Sequence, residues 1–184
     1  MNAGEWRLIR GGLRARANGS SPTFLPLSHL RKLRGREQAA AVCYRVRGAS
    51  IEFLLVETRG GRWTFPKGGI EAGLTPAQSA ALEAFEEAGV HGRIEEASFA
   101  SYVRRKGRNG SGSAAVEIAV SAHLCEVLSL DPPPEAGRNP SWFSANKAKR
   151  RLRQDRAPDH GAELARIVDC AVERIRRLRT VGRI

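Results

Sequence analysis

Three glutamates in one short segment are the residues of this sequence best suited to chemistry. Glu83, Glu86 and Glu87 lie within residues 68–90, GGIEAGLTPAQSAALEAFEEAGV. On a helix, at 100° per residue, their side chains would fall within an arc of about 100°. Like charges at these spacings repel by about a few tenths of a kcal/mol, and helices usually relieve the repulsion with a nearby Lys or Arg. This segment has no basic residue, although the chain contains 31 Lys and Arg.

A bound cation is one way to stabilise such a cluster. Hard divalent cations such as Mg²⁺ take oxygen ligands, and they combine a few carboxylates with the phosphates of a substrate. The alternative is a solvated acidic face, which is the usual meaning of a run of charges. On these residues alone, both interpretations stay open.

The residues around the glutamates predict a helix with defined ends. Thr75 is a good N-cap, Pro76 suits the first helical position, and Gln78 completes a capping box. Gly89 is well placed to end the helix. The opposite side of this helix is predicted to pack against the protein and carries Ala81, Ala84, Phe85 and Ala88.

The segment resembles the Nudix box of the Nudix hydrolases. That box has Gly, five residues, Glu, seven residues, Arg-Glu, an aliphatic, any residue, Glu-Glu, any residue, Gly and an aliphatic. The matching residues are Gly68, Glu83, Glu86, Glu87, Gly89 and Val90. Leu74 and Leu82 stand where the family has Glu and Arg, and Ala84 is a small version of the aliphatic.

The resemblance implies a hydrolase that cleaves a diphosphate linkage in a polyphosphorylated metabolite. It implies that Glu83, Glu86 and Glu87 are both the catalytic residues and the ligands of Mg²⁺ or Mn²⁺. The branch it is most similar to is the diphosphoinositol polyphosphate phosphohydrolases, which also cleave diadenosine polyphosphates. The substrate-binding positions that the resemblance implies are Arg36, Arg59, Lys67, Gly68, Gly69, Arg104 and Arg108.

The two departures from the box bear on activity. In the family, the Arg at the position of Leu82 orients the carboxylates, and the Glu at the position of Leu74 takes part in catalysis in many members. The expected consequence is a weakened pyrophosphohydrolase. The alternative is a Nudix-fold module that binds a nucleotide or polyphosphate without turning it over.

Composition indicates the class of partner. The net charge of +12 favours polyanionic ligands, with small phosphorylated substrates ahead of nucleic acid. The three Cys are widely spaced and predict reduced thiols in a cytoplasmic protein. No stretch is apolar and long enough to predict a membrane span or a signal peptide, and the oligomeric state is left open.

The order of elements predicts an α/β protein, a Nudix-type α/β/α sandwich with a mixed sheet. Alternating and apolar runs predict strands at 39–47, 51–58, 94–103 and 114–128, and a short strand at Trp142. Residues 144–153 predict a helix, and apolar residues from Leu164 to Leu178 share one face of another. The predicted organisation is a basic N-terminal extension (1–37), a Nudix domain (38–155) and a C-terminal amphipathic helix packed on the domain (156–184).

Overall fold

A mixed sheet between helices forms the centre of the protein. The computed structural model describes residues 7–9, 37–106 and 116–182. Its strands are β1 (Arg7–Ile9), β2 (Glu37–Arg47), β3 (Ser50–Glu57), β4 (Trp63–Thr64), β5 (Lys67–Gly69), β6 (Val90–Glu95), β7 (Ala100–Lys106), β8 (Val116–Leu130) and β9 (Ser141–Ser144). Its helices are α1 (Pro76–Ala88), α2 (Ala145–Arg153) and α3 (Pro158–Thr180).

The sheet order over these residues is β1-β6-β8-β2-β3-β4. Strands β2 and β8 run parallel at its centre, and β1 runs parallel to β6, whereas the other pairs are antiparallel. The short strand β5 pairs with β2, which places Gly68 opposite Ala39. The glycines of the predicted box are therefore attached to the middle of the sheet.

The central strand β2 is buried on both faces. Ala39, Ala41 and Cys43 belong to the apolar cluster that contains the packed face of α1. The alternate residues Ala40, Val42 and Tyr44 belong to the cluster that contains the apolar faces of α2 and α3. Because side chains alternate between the two faces of a strand, helices must cover both. The predicted α/β/α sandwich with a mixed sheet is confirmed.

The predicted strand at 94–103 is wrong in its extent. The structure has two strands there, because the chain leaves the sheet after Glu95 and re-enters at Ala100. Both strands pair with β8, at 125–130 and 116–122 respectively. The amide of Phe99 donates to the carbonyl of Ala122 at 3.0 Å, which fixes the point of re-entry. Within the described ranges, no helix is long and apolar enough to cross a membrane.

Candidate active site

The ends of α1 follow the predicted capping chemistry. Thr75 is the N-cap, its side chain accepts from the amide of Gln78, and the Gln78 side chain accepts from the amide of Thr75. Gly89 ends the helix in a left-handed conformation with φ of 65°. A Cβ at Gly89 would also lie 1.8 Å from the carbonyl oxygen of Asp131, so a side chain has no room there. Both ends of the helix that bears the glutamates are therefore fixed as predicted.

Gly68 allows the carboxylate of Glu83 to lie against the backbone of β5. A Cβ placed on Gly68 would be 1.5 Å from Oε1 of Glu83. Real Cβ atoms do not approach another atom so closely, and therefore only glycine is compatible with this position of Glu83. The glycine of the box and the first glutamate of the cluster are direct neighbours.

Glu87 is the buried member of the cluster and is paired. Its side chain is 3% exposed, and Oε1 lies 2.7 Å from Nη2 of Arg138. The backbone amide of Lys67 donates to its Oε2 at 3.3 Å. Segment 68–90 contains no basic residue, and Glu87 pairs instead with one from outside it. The positive charge belongs to Arg138 in the loop before β9, outside residues 68–90.

Glu83 is partly buried among other carboxylates, and its pKa is raised as a result. Burial first, and then the nearby carboxylates of Glu87, Glu86 and Glu135, together raise the pKa of Glu83 to about 7, against the opposing charge of Lys67. Burial also raises the pKa of Glu87, while the charges of Lys67 and Arg138 oppose the rise. A divalent cation would favour the ionised form of both carboxyls.

The three glutamates differ in their surroundings. Glu83 is half-buried, Glu86 is exposed and Glu87 is buried. Across the described parts of the chain, no three His, Cys, Asp or Glu side chains are placed as a ready metal-binding group. The donor set nevertheless fits a hard divalent cation, since it consists of carboxylate oxygens in a region where their charge is unfavourable. Glu83, Glu86 and Glu87 are the residues that could hold one.

A basic side adjoins the carboxylates. Lys67 directly precedes Gly68, and burial lowers the pKa of Lys67 to about 8, with Glu87 opposing the shift and the charges of Arg104, Arg138 and Arg156 adding to it. Arg104 lies on β7, and its Nη1 donates to Oε1 of Gln38 at 3.2 Å. Gln38 is opposite Gly69 in the β2–β5 pair. The structure therefore brings Lys67, Gly69 and Arg104 to one region of the sheet.

Tyr102 and Arg156 lie in this region and were missed from the sequence. The Tyr102 hydroxyl is buried, and no atom of the described residues pairs with it. Burial raises the pKa of Tyr102, while Arg104 and Arg156 lower it. Arg156 donates to the carbonyl oxygens of Leu152 and Trp63, so it also ties the α2–α3 loop to β4. The contact with Trp63 joins residues 93 positions apart, and no local sequence pattern predicts such a contact.

Of the remaining predicted substrate-binding residues, the structure describes only Arg59, and no contact among the described residues brings it into this region. Arg59 is exposed in the turn between β3 and β4, where the amide of Thr58 donates to the carbonyl of Arg62. Arg36 and Arg108 lie outside the described residues. Leu74 is 38% exposed at the end of the loop before α1, and Leu82 is half-buried on the helix.

Comparison with known proteins identifies the fold. A family model described as NUDIX domain matches residues 36–165. A search of curated proteins gives no match.

Solved structures are similar over most of their own length. An Ap4A hydrolase from C. elegans, solved as a binary complex, is 21% identical, with a TM-score of 0.55 over 76% of this chain and 97% of that one. A NUDIX hydrolase from Nitrosomonas europaea is 23% identical, with a TM-score of 0.52 over 68% and 82%. The NUDIX domain of Shewanella oneidensis NrtR, crystallised with ADP ribose, is 15% identical, with a TM-score of 0.53 over 83% and 99%. At these identities the likeness establishes the fold.

Proposed function

The chain belongs to the NUDIX domain family, and we propose that it is a pyrophosphohydrolase that cleaves a diphosphate linkage in a polyphosphorylated metabolite. The observation that carries the proposal is the contact between Gly68 and the carboxylate of Glu83, directly beside Lys67. A side that offers carboxylates to a cation thus adjoins a side that offers positive charge to phosphates. A phosphoanhydride with a bound cation needs both.

The carboxylates are proposed to act together. Glu83, Glu86 and Glu87 would hold Mg²⁺ or Mn²⁺, and such an ion neutralises phosphate charge and lowers the pKa of a bound water. Arg138 and the amide of Lys67 hold the Glu87 carboxylate in one orientation. Without a cation the pKa of Glu83 is about 7, so binding of the ion near neutral pH would release a proton from this carboxyl.

The basic side is proposed to bind the phosphates. Lys67 and Arg104 lie beside the glycine strand, and the buried Tyr102 hydroxyl adds a hydrogen-bond donor among them. Two of the similar structures carry nucleotides with linked phosphates in their names, Ap4A and ADP ribose. We propose a dinucleoside polyphosphate or a diphosphoinositol polyphosphate as the substrate class. Arg36, Arg59 and Arg108 are proposed to contribute further cations.

A nucleotide-binding module without turnover is the second candidate. The observation that favours it is the lack of a ready metal-binding group among the described residues. Leu74 and Leu82 also favour this candidate, because they replace the Glu and the Arg, respectively, of the family's box. In a binding module, Lys67 and Arg104 would bind the polyphosphate, and the glutamates would have no catalytic role.

A phosphate-release screen distinguishes the two candidates. Purified protein is incubated with Mg²⁺ and a panel of dinucleoside polyphosphates, nucleoside diphosphate sugars and inositol pyrophosphates. If the protein is an enzyme, it should form product from at least one substrate in the presence of Mg²⁺. The rate of product formation should then fall by about 10²-fold or more in Glu83→Gln. Glu173→Gln, which removes one exposed carboxylate from α3, is the matched control and should retain full activity. Binding of a polyphosphate without product would favour the module.

A further inference from the structure

We infer that Arg138 is the positioning residue for the Glu87 carboxylate, in place of the box Arg that this chain lacks at Leu82. The inference rests on the proposed function, because it assigns Arg138 a role in preparing Glu87 for a divalent cation. Leu82 has no hydrogen-bond donor in its side chain, so it cannot orient any carboxylate. The guanidinium of Arg138 reaches Glu87 from a different part of the chain.

The contact between Arg138 and Glu87 leaves the carboxylate able to bind a cation. One oxygen of Glu87, Oε1, takes the guanidinium at 2.7 Å, and Oε2 takes the Lys67 amide at 3.3 Å. An ionised carboxylate offers about four lone-pair positions, so about two remain unused. Each oxygen is therefore held by one donor and keeps capacity for a further ligand. This is the arrangement expected of an oriented ligand and not of a carboxylate neutralised by its partner.

The backbone around Arg138 is fixed on both sides. The amide of Glu57 on β3 donates to the Arg138 carbonyl at 2.6 Å, and the Asn139 side chain donates to the Glu57 carboxylate at 2.9 Å. The amide of Glu135 donates to the carbonyl of Glu86 at 2.9 Å, which ties the same loop to the last turn of α1. Positioning by a distant residue requires such a rigid attachment.

The burial of the pair is unfavourable for a contact that only stabilises the fold. Arg138 is 18% exposed and Glu87 is 3% exposed. The Nε of Arg138 is buried without an acceptor among the described residues. Taking two charges out of water often costs more than their attraction returns, and an unpaired buried donor adds to that cost. The attraction between the two charges therefore does not by itself explain why the pair is buried, and a role in holding Glu87 for a ligand does. The same Nη2 also lies 3.0 Å from Oε2 of Glu135, which helps to hold the guanidinium in place.

Two other roles for Arg138 predict different effects of its removal on metal affinity. If Arg138 only ties the loop to the sheet, its removal lowers stability and leaves metal affinity unchanged. If its guanidinium competes with the cation for Glu87, its removal tightens metal binding. A positioning role predicts weaker metal binding, by about 10–100-fold, the usual effect of a group that orients a metal ligand.

The experiment is a calorimetric titration of the full-length protein with Mn²⁺ alone. Arg138→Gln should weaken binding by about 10–100-fold. Arg138→Lys keeps a positive charge beside Glu87 but lacks the planar fork, so it should fold and lose less affinity than Arg138→Gln. Arg151→Gln removes an exposed guanidinium on α2 and is the control for net charge. Circular dichroism of each variant separates loss of fold from loss of affinity.

The outcomes separate this inference from the proposed function. If the wild type binds Mn²⁺ and folded Arg138→Gln binds it equally well or more tightly, the positioning role is overturned while the proposed function stands. Should Arg138→Gln fail to fold, Arg138→Lys decides, and wild-type affinity in that variant overturns the inference. If the wild type itself binds no Mn²⁺, the proposed function fails and the inference with it.

Discussion

The α-carbon of Gly68 and the carboxylate of Glu83 are in contact, so that a Cβ on Gly68 would lie 1.5 Å from Oε1 of Glu83. The atom in the way is the far end of a flexible side chain. A small side chain at position 68 can therefore be accommodated if Glu83 rotates away, and the fold need not change. The contact makes the position of the Glu83 carboxylate depend on the absence of one methyl group.

Gly68→Ala is predicted to displace Glu83 and to leave the protein folded. Mg²⁺-dependent turnover should fall by about 10-fold or more, the effect expected when a metal ligand loses its orientation. Gly60→Ala is the matched control, because a Cβ at Gly60 would have its nearest neighbour at 3.9 Å. Equal turnover in the two variants, with both folded, would show that the position of Glu83 does not matter.

The pH dependence of stability tests the electrostatics of the cluster without any metal. Folding raises the pKa of Glu83 from 4.5 to about 7. Between these values the folded protein binds a proton that the unfolded chain has lost, so this group's contribution to stability falls as the pH rises. Glu83→Gln does not titrate. Its free energy of unfolding, relative to wild type, should therefore increase between about pH 5 and about pH 8 in the presence of a chelator.

Urea unfolding at both pH values measures this difference. Glu173→Gln, an exposed carboxylate on α3, controls for the loss of one negative charge. A difference between wild type and Glu83→Gln that stays constant with pH would mean that folding does not raise the pKa of Glu83, either by burial or by the neighbouring carboxylates.

The basic side is predicted to supply affinity for polyphosphates. Arg104→Gln should weaken the binding of a dinucleoside polyphosphate by about 1.5–3 kcal/mol, the contribution of a charge-assisted hydrogen bond. Calorimetry in a Glu86→Gln background, in which we expect turnover to be suppressed, gives the dissociation constants. Arg47→Gln removes an exposed guanidinium at the end of β2 and should change affinity little. Equal losses in the two variants would indicate a general effect of net charge instead of a phosphate site.

A double-mutant cycle at positions 82 and 138 tests whether one guanidinium has replaced another. In the wild type, Leu82→Arg should change Mn²⁺ affinity less than about threefold, because Arg138 already orients Glu87. In the Arg138→Gln background, the same Leu82→Arg change should restore about 10-fold or more. Additive effects in the two backgrounds would mean that the two positions act independently.

Local chemistry made the helix and its ends predictable from the sequence. Thr75, Gln78 and Gly89 act on backbone groups within a few residues, so their pattern determines where α1 begins and ends, and the structure confirms it. Apolar runs on either side of a Gly-containing turn likewise predicted β2 and β3, and the structure confirms both strands. The error at 94–103 arose because only four residues, 96–99, separate two strands that pair with the same neighbour, and the prediction joined them into one.

The partners of the glutamates could not be predicted in this way. Arg138 contacts Glu87, which lies 51 positions earlier in the chain. The orientation of the Arg138 side chain depends on how β3 and the loop before β9 meet. The buried hydroxyl of Tyr102 and the reach of Arg156 depend equally on the packing of distant elements. The glutamates could be identified from the family resemblance, whereas the residues that contact them became known only from the fold.

In the proposed reaction, water cleaves a phosphoanhydride with the help of a metal ion at Glu83, Glu86 and Glu87. The most direct measurement is mass spectrometry of the products formed in ¹⁸O-labelled water from the best substrate of the screen. The expected result is one ¹⁸O in one of the two phosphate products and no product without a divalent cation. The rate of product formation should fall by about 10²-fold or more in Glu83→Gln. Tight binding of polyphosphates by the wild type, with no labelled product from any of them, would contradict it.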